Sequence, residues 1–363
     1  MTTWRDLNLK LLFVFYVPSG GVETLNRERA AALRQAGITC DFLYYSKRRE
    51  LINHEDANVF ISNNDEEISR ILIKGKYDAI IITSDYSGME RLRKLGYKGK
   101  IILEIQGFGP KHVARTEMQK AIPYVTKYCN GLLYPKTPHI KMIFDEFFPS
   151  TPKFAFNNCF NHLAFTYKSL PQKDRPIVAW IGRLEDNKNW KEFLHIGHEL
   201  VKRNSAIELY MFEDPSLSTT KERNDFTQLK RLLNLDGHLS LFQNVPHQQM
   251  QTYFSMIGDS GGFLCSTSKV EGAPYSLLEA MSCRCPVLTT DSDGVRSSIL
   301  HNQSGKYYQI GSIQHAVTQA EELMNNKKLR EYIIENALLH LKTQFSHDQY
   351  RRNFTAMLKR LGI

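Results

Sequence analysis

Two carboxylates, Glu271 and Glu279, stand eight positions apart in the stretch Ser-Thr-Ser-Lys-Val-Glu-Gly-Ala-Pro-Tyr-Ser-Leu-Leu-Glu-Ala-Met, residues 266–281. A Gly272-Ala273-Pro274 turn follows the first, and a helix-forming run opened by Tyr275 surrounds the second. Residues 261–265 have the short apolar pattern of a buried strand, and residues 286–289 have it again. The unit is strand, loop, helix, strand, as in a parallel α/β sheet. Ligands of such sheets sit at the carboxyl ends of the strands, where the loop-to-helix junction turns free N–H groups toward an anion. The spacing puts Glu271 in that loop and Glu279 about one turn into the helix, on the same side. A second charged pair has an equivalent setting: Arg183 and Lys188 lie in Gly182-Arg-Leu-Glu-Asp-Asn-Lys-Asn, after the apolar run 177–181 and before a helix. Two fixed cations beside a helix N-terminus stabilise negative charge where it develops.

These loops need a scaffold of alternating strands and helices, and the chain supplies one. Residues 9–17 form a first strand; Pro18-Ser19-Gly20-Gly21 turns into a helix carrying Val22, Leu25, Ala32 and Leu33, and residues 38–45 return as a strand. Glycine at this turn admits positive φ and a close approach of backbone to ligand. Glu23 falls in the first helical turn, where a carboxylate suits the dipole. Strands at 79–83 and 100–104 flank a helix at 87–95, and the second ends in the loop Gln106-Gly-Phe-Gly-Pro. A helix over 115–130, a strand at 131–134 and a helix over 140–147 follow. Residues 168–176, polar and with two prolines, read as a linker. Beyond it come strand 177–181, a helix with Phe193, Ile196, Leu200 and Val201 on one face, strand 206–212, and strand 239–242 running into Gln243-Asn244. Ser346-x-x-Gln349 is a capping-box pattern before a helix with Tyr350, Phe354, Met357 and Leu361 on one stripe. The reading is α/β with domains at 1–168 and 169–345 and a last helix at 346–363.

A chain of 363 residues suits two α/β domains better than one core. No apolar run reaches the ~20 residues that span a bilayer, and residues 1–6 lack the basic-then-apolar layout of a signal peptide. Six scattered cysteines fit reduced, buried thiols and a cytoplasmic setting, and Cys283-x-Cys285 without a second pair does not make a zinc site. No metal-ligand cluster and no Ser/His/Asp arrangement of a hydrolase is found. Residues 1–170 hold 24 Lys and Arg against 17 Asp and Glu, so +7 of the net charge of +9 lies there. That excess fits solvated surface, an anionic acceptor or peripheral contact with an acidic membrane; the aromatic and basic signatures of a nucleic-acid module are missing.

The composite E-x7-E block, the G-R-L-x-x-x-K-N pattern and the Gly20-Gly21 loop resemble the retaining glycosyltransferases of the GT-B fold, family-4 type (glycosyl transferases group 1). The resemblance runs from Gly20 to the end of the second domain. It implies two Rossmann-like domains facing across a cleft, the last helix crossing back to the first, and transfer of a sugar from a nucleoside diphosphate donor, a UDP-sugar, to an acceptor hydroxyl. It implies that Arg183 and Lys188 neutralise the diphosphate and Glu279 holds the ribose hydroxyls. Glu271 and the backbone of Gly272, Ala273, Pro274 and Tyr275 would contact the sugar and phosphates. Gly20, Gly21, Gln106, Gly182 and Asn244 complete the donor-binding set, and Glu271, Arg183 and Lys188 the catalytic one. The leaving phosphate would help deprotonate the acceptor, so neither a protein nucleophile nor a metal nor a cofactor is called for. Three departures stand out: Gln106 where relatives often have His, Glu213-Asp214-Pro215-Ser216 in place of a G-x-G turn, and Arg284 where glycine is common. They keep open a silent GT-B scaffold that binds nucleotide or glycan.

Overall fold

An apolar run that never alternates belongs in a parallel sheet covered on both faces, and the strands Ala79–Thr83 and Ile177–Ile181, central in the two sheets, are of that kind. The computed structural model describes residues 8–47, 57–171 and 173–363, which leaves the leader reading at residues 1–6 outside the described residues. They form two units, Met1–Asn161 with Gln344–Ile363, and His162–Thr343.

The first unit runs β1 (Lys10–Phe15), α1 (Gly20–Arg34), β2 (Thr39–Tyr44), β3 (Val59–Ile61), α2 (Asp65–Gly75), β4 (Ala79–Thr83), α3 (Gly88–Lys94), β5 (Lys100–Glu104), α4 (Lys111–Tyr128), β6 (Gly131–Tyr134), α5 (Pro138–Phe147) and β7 (Lys153–Ala155). The strands are parallel in the order β3-β2-β1-β4-β5-β6-β7. Leu12, Val14, Ile80, Ile82, Ile101 and Leu103 pack under Met89, Met118 and Phe144 from the helices. Sequence pattern overlooks β3 and β7, since three-residue edge strands carry too few apolar positions to show a period, and it also passes over α2, whose buried positions are Ile68, Ile71 and Leu72.

The second unit runs β8 (Ile177–Ile181), α6 (Trp190–Arg203), β9 (Glu208–Glu213), α7 (Thr220–Leu232), β10 (Leu239–Gln243), α8 (Met250–Asp259), β11 (Phe263–Ser266), α9 (Tyr275–Ser282), β12 (Val287–Thr290), β13 (Lys306–Tyr308), α10 (Ile313–Asn325) and α11 (Lys327–Gln344). Its parallel order is β10-β9-β8-β11-β12-β13. Winding reverses between β1 and β4 in one sheet and between β8 and β11 in the other. Such reversals leave a crevice at the carboxyl ends of the two strands, where ligands of open α/β sheets bind.

The chain already packs on the second unit at His162, six residues ahead of the proline-bearing segment 168–176. Ser282 Oγ reaches Phe165 O at 2.5 Å, Gln251 Nε2 donates to Ala164 O at 3.1 Å and Tyr167 OH to Asp259 at 3.0 Å. Helix α12 (His347–Arg360) belongs to the first unit, where Phe354 lies 6.2 Å from the ring of Phe13 and His347 Nε2 lies 2.6 Å from Glu28. Tyr350, Phe354, Met357 and Leu361 are its buried stripe. Only half of the capping box forms: Ser346 Oγ accepts from Gln349 N–H at 3.2 Å, while the Gln349 side chain turns along the helix to Asn353.

Candidate functional site

Because β8 and β11 are neighbours, paired Val178 to Phe263 and Ala179 to Leu264, the loops that leave their carboxyl ends run side by side. The first loop opens at Gly182, where a Cβ would come within 2.9 Å of the Trp180 ring and 3.2 Å of Lys188 Cγ. Buried Leu184 anchors it, Asp186–Lys188 make one turn of 3-10 helix, and Asn189 takes φ 52° to enter α6. Thr267 fastens it to the second loop: its hydroxyl accepts from Trp180 Nε1 at 3.0 Å and reaches Lys188 O at 2.8 Å. Lys269 N–H donates to Asn187 O at 2.8 Å and Asn187 Nδ2 to Val270 O at 3.1 Å, a short backbone-like ladder across the reversal.

The outcome is that Lys188 Nζ and Glu271 Oε1 meet at 2.5 Å, with side chains 23% and 13% exposed. An ion pair so placed is neither drowned in water nor sealed from it, so its charges stay open to exchange with a ligand's. Arg183, on the same loop, is half exposed and pairs with Glu185 at 2.8 Å rather than with Glu271. The Glu271-Gly272 backbone is held from below: Gly294 N–H donates to Glu271 O at 3.0 Å, and a Cβ on Gly294 would stand 2.1 Å from both carbonyl oxygens. Pro274 caps α9, Tyr275 is its buried first residue, and Glu279 lies one turn in, 6% exposed. Glu279 Oε1 is 2.9 Å from His247 Nε2, and the His247 ring lies 5.1 Å from that of Phe165. Burial pushes the neighbouring Cys283 thiol up to about 12, with Glu279 adding to the rise. Asn244 takes φ 52° and donates its N–H to Glu213 O at 3.0 Å. In place of a G-x-G turn the β9 end carries buried Glu213, gripped by Arg223 at 2.7 and 2.9 Å and by Gln243 at 3.1 Å. Together the two loops can present an ammonium, a guanidinium and first-turn N–H groups to an anion, with a carboxylate on α9 for hydroxyls.

Gly20, Gly21 and Gln106 lie in the first unit. Gly20 opens α1 at φ +73°, a conformation that asks for glycine, whereas Gly21 has ordinary φ; a Cβ on either meets nothing within 4 Å. Gln106 is not a free amide. Its Nε2 donates to Glu104 Oε1 at 3.0 Å and Asn158 Oδ1 at 3.2 Å, and Asn158 Nδ2 returns a bond to Oε1 at 2.7 Å. Glu104 Oε2 in turn accepts from Arg29 Nη2 at 2.9 Å and Thr83 at 2.7 Å. Burial works against the Arg29 charge, but Glu104 more than offsets it and raises its affinity for the proton. At the β1–β4 reversal Tyr16 packs edge-on to Tyr45, whose hydroxyl donates to Asp85 at 2.9 Å; burial first, then Asp85, pushes Tyr16 up to about 12.

Sequence reasoning missed His247, Thr267 and the Arg29–Glu104 pair. Arg29 had a signal: it shares the face of Leu25, Ala32 and Leu33 in an amphipathic helix, where a charge must be paired. His247 had none, since contact with Glu279 is made by folding alone. Arg284 sits at φ 59° just past α9, and this left-handed position explains the preference for glycine there. Its guanidinium lies 5.8 Å from the Tyr167 ring and 3.7 Å from Glu331. The basic residues of α3 and α4 largely face carboxylates: Arg91 meets Asp65, Lys94 Glu90, Lys120 Glu117, and Arg115 Glu146. All six cysteines are free thiols. Among the described residues no helix is long and apolar enough to cross a membrane, and no three His, Cys, Asp or Glu side chains cluster as a metal set.

Comparison with known proteins gives a consistent picture. Residues 165–340 match the family model "Glycosyl transferases group 1". The chain is similar to the capsular polysaccharide biosynthesis glycosyltransferase CapM of Staphylococcus aureus, 22% identical over 53% of this chain and 48% of that protein. It is also similar to alpha-D-kanosaminyltransferase of Streptomyces kanamyceticus, 24% identical over 45% of this chain and 40% of the other. The matched stretch thus spans less than half the length of either relative. The sucrose-phosphate synthase structure from Thermosynechococcus elongatus superposes with a TM-score of 0.82 at 14% identity, covering 97% of this chain and 99% of that one. Anabaena HepE in complex with UDP-glucose superposes with a TM-score of 0.80 at 13% identity, over 97% and 100%. At such identities the likeness shows the fold, GT-B with two Rossmann-like units.

Proposed function

From the premise that the second unit is a group 1 glycosyl transferase domain, we propose that the protein is a retaining glycosyltransferase that moves a sugar from a UDP-sugar to an acceptor hydroxyl. The observation that carries the reading is Lys188 against Glu271 at the β8–β11 reversal, with Arg183 on the same loop and Glu279 on the adjoining helix. A diphosphate entering there takes over Lys188, and the freed Glu271 carboxylate turns to hydroxyls of the transferred sugar. As the glycosidic bond breaks, charge grows on the leaving diphosphate, and Lys188 and Arg183 stabilise it without reorganising water. The two cations do the electrostatic work a divalent metal performs elsewhere. Glu279, already holding a hydrogen-bond donor in His247, is prepared to accept from ribose hydroxyls. The leaving phosphate oxygen takes the acceptor proton on the face from which the sugar departs, which preserves anomeric configuration and requires no protein nucleophile. HepE with UDP-glucose supports the choice of nucleotide, and CapM and the kanosaminyltransferase support a glycan or natural-product acceptor.

A second reading, a silent scaffold that binds nucleotide or glycan, is favoured by two observations: both Gln106 N–H groups are already engaged, and Glu213 fills the place of the G-x-G turn. One experiment separates them. Purified protein is assayed for release of UDP from UDP-glucose, UDP-galactose and UDP-N-acetylglucosamine, beside Lys188→Ala. UDP release that the substitution abolishes supports transfer; thermal stabilisation by UDP with no release from any donor supports the scaffold. Liposome flotation with and without anionic lipid tests peripheral membrane contact, and binding that salt does not weaken would count against it.

A further inference from the structure

Behind the Glu271 loop the second unit holds a cavity of about 550 Å³ at the carboxyl ends of β12 and β13 that the proposed reaction does not use. This lies within the range of small-ligand pockets. Lys269, Asp291, Ser292, His301, Tyr307 and His315 are among its lining residues. Its charges cancel. Lys269 Nζ is 2.6 Å from Asp186, and Asp291 receives Arg296 through two bonds of 2.8 Å.

The two imidazoles have their tautomer set by the backbone. His301 Nδ1 accepts from Tyr307 N–H at 2.9 Å and His315 Nδ1 accepts from Gln309 N–H at 3.1 Å. A neutral ring whose Nδ1 accepts must carry its proton on Nε2, so each offers an uncharged donor and no lone pair for a metal. Protonation would set two N–H groups against each other, and burial, then Lys306 and His315, already hold His301 below its ordinary value. The His301 and Tyr307 rings stack at 5.8 Å and 6°, which gives the cavity a flat aromatic element. Ser292 Oγ, in a side chain 8% exposed, has no hydrogen-bond partner among the described residues. An unmet hydroxyl so buried costs about 1–3 kcal/mol unless a ligand or water completes it.

We infer that this cavity is a binding site for a neutral sugar unit, separate from the donor site. Uncharged donors, acceptors in Asp291 and Gln309, and an aromatic face match a ring of hydroxyls. A phosphate is poorly served, since the lining lysine, Lys269, is already paired with Asp186. The site also touches the donor loop: Lys269 N–H holds Asn187 O, and Gly294, two residues beyond Ser292, holds Glu271 O. Occupancy would therefore stiffen the loop that carries Glu271. The assignment rests on the cavity alone and stands even if the proposed transfer fails.

Saturation-transfer NMR tests it, using methyl α-D-glucopyranoside, methyl α-D-galactopyranoside and maltose as probes, with saturating UDP to occupy the donor site. Signal is expected from at least one sugar, reduced about fivefold in His315→Leu and in Ser292→Val, the effect of one lost hydrogen bond. Circular dichroism and melting of both variants confirm folding, and thermal stabilisation by UDP is retained in both, which separates this site from the donor site whether or not the protein turns over. No transfer from any of the three sugars, transfer that both folded variants retain unchanged, or displacement of the sugar by millimolar inorganic phosphate would overturn it.

Discussion

The two sheets share a winding plan yet treat their charges in opposite ways. In the first unit the central ion pair, Arg29 with Glu104, is 0% and 1% exposed: Glu104 also receives Thr83 and Gln106, while Arg29 Nε and Nη1 have no hydrogen-bond partner among the described residues. In the second, Lys188 and Glu271 meet at the mouth of the reversal, partly exposed, where each is the other's chief partner. A pair sealed in low dielectric is out of a ligand's reach whatever donors it leaves unmet; a pair at a crevice rim keeps its charges accessible. The contrast teaches that charge alone does not mark a site. Position relative to the strand ends and incomplete burial do.

Breaking the sealed pair is expected to give the largest effect. Glu104→Ala leaves an uncompensated guanidinium and should cost about 3–5 kcal/mol of stability by urea unfolding, while Arg29→Met with Glu104→Leu should recover most of it. A loss under about 1 kcal/mol would mean that the pair is not sealed. Lys188→Ala should leave the urea midpoint nearly unchanged but lower UDP release by about 10²–10³-fold, the usual cost of one charge-stabilising donor. If stability falls instead, the comparison fails from the other side. Glu279→Gln keeps shape and removes charge, so the donor KM should rise about 10–100-fold with kcat moving less, as expected of a charge-assisted bond present before the reaction. Arg284→Gly relieves a left-handed backbone and should add up to about 1 kcal/mol, read as a shift of the urea midpoint; a decrease would show that the Tyr167 and Glu331 contacts outweigh the strain.

Legibility in the sequence followed the same division. Strands β1, β4, β5 and β8 have apolar middles without alternation, and each lies where its pattern placed it, because burial on both faces there leaves no choice of residue. The loops around Arg183–Asn189 and Glu271–Tyr275 were found because glycine, proline and charge follow such runs at once. Partners made only by folding were illegible. Nothing near Glu279 announces His247, and nothing in Gln106 announces that Glu104 and Asn158 consume its amide. The short strands β3, β7 and β13 escape for want of length, and the cavity behind the Glu271 loop escapes because its lining comes from three separate loops.

Helix α12 makes the first unit a split object: residues 1–161 open it and residues 344–363 close it. During synthesis the second unit can finish folding while the first still waits for α12 to be made. Phe13 and Glu28 are therefore without their α12 contacts throughout translation of the second unit. A chain cut ahead of α12 would keep the second unit and strip the first, an inversion of the usual polarity of truncation.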